Sequence, residues 1–149
     1  MTQHFDRRFL LRGLMVSGLV ACLPSARACE FFCTTLRVTH PWTRVSAANA
    51  TTAIVSMKFD EVTDDDRLIH LETPVAAGAE LGGVGVGASK RELNFLIPAG
   101  QETLLSETGT FIRLTGLKHP LELGRSYPLT LVFEKGGRIE ADLSVDYES

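Results

Sequence analysis

Few of the residues that most often announce a function are present. Among 149 residues there are three Cys, three Met and four His, and only three aromatic residues other than Phe. Basic residues do not outnumber acidic ones: the formal charge is −3, which argues against the basic surface a nucleic-acid binder needs. No Gly-x-Ser-x-Gly occurs and the His residues are scattered, so no hydrolase triad is nominated. An enzyme of any kind lacks a recognisable nucleophile with a positioned base. The close His, Cys and carboxylate spacing of a zinc site is missing as well. No apolar run reaches the ~20 residues of a membrane span. What remains is an ordinary globular balance, 44% hydrophobic and 22% charged, on a chain long enough for one domain.

The first 28 residues read as an address. Arg7-Arg8-Phe9-Leu10 is followed by a modest apolar run from Gly13 to Leu23 and then by Ala26-Arg27-Ala28, a small-x-small site. Basic region, short apolar region and cleavage site make an export signal. The twin-arginine core resembles the signal of the route that carries folded proteins. A second exit is written in Leu19-Val20-Ala21-Cys22, which resembles a bacterial lipobox and would put a lipid on Cys22. Cleavage after Ala28 is expected, because the composition changes there. The export signal carries a charge of +3 against a total of −3, so the remainder carries −6 and should favour basic partners. That remainder keeps Cys29 and Cys33, His40, His70 and His119, and one Met, Met57.

From residue 29 to residue 149 a single domain is expected, and its pattern has period two. Leu36 to His40 alternates and stops at Pro41; Thr52 to Phe59 is β-rich and stops at the acidic turn Thr63 to Asp66. Leu68 to Leu71, Leu93 to Ile97, Glu102 to Leu105 and Thr110 to Leu114 are further short strands. Tyr127 to Glu134 and Arg138 to Tyr147 form a hairpin around Lys135-Gly136-Gly137. In the last strand Ile139, Ala141, Leu143 and Val145 share one face, and Arg138, Glu140, Asp142 and Ser144 the other. No amphipathic helix of ten residues is offered. The expectation is an all-β, antiparallel sandwich.

Most short motifs have bland readings. Gly82-Gly83-Val84-Gly85-Val86-Gly87 has no helix after it and reads as a loop, not a phosphate cradle. Asp64-Asp65-Asp66 lacks the spacing and Gly of a calcium loop and reads as a solvated turn. Asn49-Ala50-Thr51 matches the glycosylation triplet, which is mostly silent in a bacterium-like host. Cys29-Glu30-Phe31-Phe32-Cys33 is different. Two thiols three residues apart can meet on one side of a turn and could hold Cu(I), whose soft character suits thiolates. They could also oxidise to a small disulfide outside the cytoplasm, or simply pack as small apolar side chains. His40 is a candidate third ligand, more often a surface residue.

A family resemblance runs from Leu36 to Val145. Leu36-Arg37-Val38-Thr39-His40-Pro41-Trp42-Thr43-Arg44 resembles the opening strand of the periplasmic copper chaperone family PCu(A)C. Asp65-Asp66-Arg67-Leu68-Ile69, Thr73-Pro74-Val75-Ala76, Glu80-Leu81, Ile97-Pro98-Ala99-Gly100, Leu114-Thr115-Gly116-Leu117-Lys118 and Pro128 to Gly137 follow in the family's order. The resemblance implies a cupredoxin-like or immunoglobulin-like antiparallel sandwich. It also implies a protein that holds Cu(I) with His and Met and passes it to an oxidase or another copper chaperone. The metal motif departs from the family. The family's His after Glu-Leu falls on Gly82, its middle Met near Ala88 or Ser89, and its His-x-Met on Phe111 and Arg113. With one Met left after residue 28, the inherited site should be dead.

Two functions follow. In one, a copper-handling protein has moved its site to Cys29 and Cys33, a spacing similar to that of the thioredoxin-like Sco copper proteins. In the other, a metal-free periplasmic sandwich binds a protein partner, and Cys29 and Cys33 form a disulfide.

Overall fold

Alternation in the C-terminal strands sets the frame. The computed structural model describes residues 29–84, 86 and 92–146, so the export signal, Cys22, Ala88 and Ser89 lie outside the described residues. The strands are β1 (Glu30–Phe32), β2 (Arg37–Arg44), β3 (Thr52–Asp60), β4 (Asp66–Glu72), β5 (Ala76–Gly83), β6 (Phe95–Ile97), β7 (Thr103–Leu105), β8 (Thr110–Leu117), β9 (Ser126–Phe133) and β10 (Gly137–Asp146). Strands β9 and β10 pair antiparallel from Phe133 and Gly137 to Ser126 and Ser144. Gly137, at φ 82, supplies the left-handed backbone on which the turn closes. Ala141, Leu143 and Val145 are buried while Glu140 and Asp142 are exposed, the half-wet strand that the sequence predicts.

The sheet order is β5-β8-β3-β2-β10-β9-β4-β6, with β1 added to β2 and β7 to β3. One strand joins the two layers. Residues Thr52 to Val55 of β3 pair with β8; Ser56 to Asp60 then pair with β2, and Met57 to Phe59 with β7 as well. The ten-stranded sheet thereby curls over its own core, giving the all-β sandwich expected. Val38, Phe59, Leu68, Leu131, Phe133 and Leu143 meet Leu81, Ile112 and Leu114 in that core. Phe59 and Phe133 pack edge to face, ring centroids 6.0 Å apart. The pairing is antiparallel except between β2 and β10, which run parallel at Trp42 to Arg44.

Three local expectations change. Strand β2 does not stop at Pro41. It bulges at His40, φ 50, where its partner on one side changes from β1 to β10; at such a bulge the missing proline N–H costs no ladder bond. Ala76 to Gly83 is a strand, β5, although its Ala and Gly content hides it from a propensity reading. The glycine-rich segment therefore begins inside a strand, with Gly82 and Gly83 the last two residues of β5. Asp66 is no solvated turn residue: it is 2% exposed.

Candidate functional site

Strands β5 and β8 bring together three of the positions that the family resemblance marks for metal, Gly82, Phe111 and Arg113; the fourth, near Ala88 or Ser89, lies outside the described residues. Glu80 lies opposite Arg113, Leu81 opposite Ile112 and Gly82 opposite Phe111. A residue after Glu-Leu and a pair spaced i, i+2 thus share one patch of sheet, because side chains two apart on a strand point the same way. The side chains there are not ligands for a soft cation. Arg113 Nη1 donates to Glu80 Oε1 at 3.1 Å, and its guanidinium carbon lies 5.4 Å from the centroid of the Phe111 ring. A guanidinium offers five donors and no lone pair, and a phenyl ring offers none either. Gly82 fits the same arrangement: a Cβ there would stand 2.7 Å from the edge of the Phe111 ring and 3.2 Å from Arg113 Nη2. Ring, guanidinium and missing side chain form one packed unit.

The two thiols are not brought together. Cys29 and Cys33 flank β1 at its two ends, both free and half-buried. The ladder holds throughout: His40 N donates to Cys29 O at 2.7 Å and Cys33 N to Leu36 O at 3.0 Å, with Glu30 to Phe32 paired between. Four residues of extended chain separate their Cα atoms by about 13 Å. A disulfide needs Cα atoms within roughly 7 Å. A shared metal needs the sulfurs within about 5 Å, at metal–sulfur bonds of about 2.3 Å. The expectation that Cys29 and Cys33 meet on one side of a turn is therefore corrected: a strand lies between them, and the turn comes after Cys33. Their shared face is inward. Phe31 and Cys33 pack against the core while Glu30 and Phe32 point to solvent.

Cys33 sits in a niche built around a buried carboxylate. Asp66 accepts from the Thr35 hydroxyl (2.7 Å) and from the backbone amides of Arg67 (2.8 Å), Lys135 (2.7 Å) and Gly136 (2.9 Å). Burial by itself would raise the Asp66 carboxyl. The Thr35 hydroxyl and the amides of Lys135, Arg67 and Gly136 together outweigh it and hold the group below the usual range. The Cys33 sulfur lies 3.4 Å from Thr35 Oγ1, and a Cβ on Gly136 would collide with it. This knot ties the β1–β2 turn, the start of β4 and the β9–β10 turn to one another. Residue type did not reveal it, because Asp66 closes an acidic run whose neighbours Asp64 and Asp65 are exposed.

The remaining soft ligands are spread out. Met57 is 2% exposed and packs in the core. His40 Nε2 lies 3.0 Å from Asp146, and its ring stacks near Trp42 at 6.5 Å. His70 pairs with Glu72 at 3.4 Å, and His119 contacts the Pro120 carbonyl. Among the described residues no group of three or more His, Cys, Asp or Glu could hold a metal ion. No helix among them is long and apolar enough to cross a membrane.

Comparison with known proteins agrees with this fold. The LpqE-like family model matches residues 36–145. Among solved structures, the copper-bound PCuAC domain of PmoF2 superposes with a TM-score of 0.71 at 22% identity, covering 80% of this chain and 98% of that one. The apo PCuAC domain of PmoF1 gives 0.70 at 28% identity, covering 80% and 99%. Cu(I)-DR1885 of Deinococcus radiodurans gives 0.59 at 22% identity, covering 77% and 82%. No curated protein matches the sequence. The first two neighbours are covered almost end to end by this chain. This protein therefore belongs to the LpqE-like family, and its sandwich is of the PCuAC type.

Proposed function

We propose that this is an exported, non-enzymatic copper-handling accessory built on the PCuAC sandwich, with the family's His/Met corner no longer able to hold Cu(I). The observation that carries this reading is the Glu80–Arg113 ion pair, which together with the Phe111 ring fills that corner. A fixed cation and an aromatic ring stand where a soft cation would need imidazole and thioether. Any Cu(I) the protein carries is then held by Cys29 and Cys33, the two thiols of the domain, and chelation by both requires β1 to leave β2. Export rests on the twin-arginine signal of residues 1–28. The word lipoprotein in the family's description supports an anchor at Cys22 as the alternative to cleavage after Ala28. A copper-receiving oxidase or another copper chaperone is the partner that this lineage supports.

Cu(I) titration of the reduced protein tests the reading. A 1:1 complex that disappears in Cys29→Ser with Cys33→Ser supports the moved site. A complex that survives that double substitution but is altered by Arg113→Ala would show that the β5–β8 corner still binds, and the reading fails. A second reading is favoured by the inward face of β1: a metal-free sandwich that acts through a protein partner alone. Absence of any complex selects it.

A further inference from the structure

The distance between Cys29 and Cys33 has a consequence independent of copper. Strand β1 spans the two thiols and, among the described residues, is the sole cover of one edge of β2 between Leu36 and His40. The other edge of β2 is held by β3, and β10 reaches the first edge only from Trp42 onward. Strand β1 itself is three residues long, and its free edge pairs with nothing among the described residues. Its attachment includes a short ladder, the half-exposed Glu30–Arg37 ion pair at 3.6 Å, the inward Phe31 and the Cys33 niche. As long as that ladder is intact, the Cα atoms of the two cysteines are about 13 Å apart, twice what a disulfide spans.

We propose that β1 is a thiol-controlled strand: the dithiol form docks on β2, and formation of a Cys29–Cys33 disulfide releases it and opens the β2 edge. The chemistry is thiol–disulfide exchange with an external disulfide. One cysteine thiolate attacks a sulfur of that disulfide and displaces one thiolate. The second cysteine thiolate then attacks the mixed disulfide, displaces the other thiolate and closes the Cys29–Cys33 bond. Two protein thiols are oxidised, one external disulfide is reduced to two thiols, and the two thiol protons pass to the departing thiolates. Closing the bond pulls Cys33 from Thr35 and Gly136, draws Phe31 from the core and breaks the His40 N to Cys29 O bond. What is uncovered is an edge of backbone donors and acceptors from Leu36 to His40, of a form that accepts an added strand.

Amide hydrogen exchange reads this directly. The full chain would be used in a Cys22→Ser background, so that two thiols remain, and compared after dithiothreitol and after oxidised glutathione. Mass spectrometry establishes the loss of two hydrogens and the Cys29–Cys33 linkage. The expected result is exchange about tenfold or more faster at the His40 amide in the disulfide form, with the β3 amides of Ile54 and Val55 unchanged, the mark of local opening. The variant that also carries Cys29→Ser and Cys33→Ser should show one exchange rate at His40 under both treatments. Three results would overturn the proposal. In the first, a complete disulfide forms with His40 still protected. In the second, β3 loses protection together with His40, which is global unfolding. In the third, both thiols stay free in the folded chain under conditions that bridge the urea-unfolded chain.

Discussion

Two carboxylates show how differently this fold treats charge at its two ends. Glu80, at the β5–β8 corner, is partly exposed and meets one guanidinium, Arg113, at 3.1 Å. Asp66, under the turns at the opposite edge, is buried and among the described residues meets no cation at hydrogen-bond distance; its four donors there are a hydroxyl and three backbone amides. Water screens and competes for the first pair, so it adds little to stability. The second is dry, and each donor there would be stranded without its acceptor. The Glu80–Arg113 pair can therefore be exchanged cheaply, whereas the knot beside Cys33 cannot. The frame of the sandwich therefore depends more on the knot around Asp66 than on the Glu80–Arg113 pair.

The comparison breaks most readily at Asp66. Asp66→Asn should cost about 3 kcal/mol, since a neutral amide loses charge-assisted bonds and points one of its own donors at other donors. Urea unfolding measures the loss. The pH dependence has a definite sign. The folded carboxyl titrates below its unfolded value of about 3.9, so the unfolded chain binds the proton more readily. The stabilisation is complete above the unfolded value and is lost as pH falls below about 4 toward the folded value. The asparagine variant should lose that portion of the acid dependence, and an unchanged acid transition would count against the knot.

A smaller effect belongs to β1. Phe31→Ala should cost about 2 kcal/mol, less than a fully buried ring because Phe31 is half-buried. It should also speed alkylation of Cys33 by loosening the strand that carries it. Equal alkylation rates in the two proteins would mean that β1 is not held through its inward face.

The smallest stability effect is expected at the corner. Arg113→Met alone should change stability by about 1 kcal/mol or less, because it removes one half-exposed ion pair. Combined with Gly82→His and Phe111→His it should create Cu(I) affinity that the parent corner lacks, since imidazole and thioether then replace cation and ring. The ring must be replaced together with Gly82, whose Cβ would otherwise stand 2.7 Å from it. A triple variant that folds and binds no Cu(I) would show that this patch of sheet is not where such ligands converge.

The legible part of the fold was the part written in alternation. Strand β10 shows its buried face in Ala141, Leu143 and Val145, because period two maps directly onto the two faces of a sheet. Strand β5 was not legible, since Ala76 to Gly83 owes its extended form to its pairing with β8 and not to its own side chains. The thiols failed for a related reason. Spacing along the chain places Cys29 and Cys33 near each other only if the chain bends between them, and the partner strand β2 keeps it straight.

The sequence by itself determined the class of the fold, the family resemblance and the scarcity of Met and His after residue 28. Those follow from residue identity and period, which need no neighbours. Only the tertiary structure decided that Gly82, Phe111, Arg113 and Glu80 form one packed corner, that Asp66 is buried under two turns, and that a docked β1 holds its two thiols apart. Each depends on what lies across a strand or a turn from a residue, and the chain acquires those neighbours only by folding.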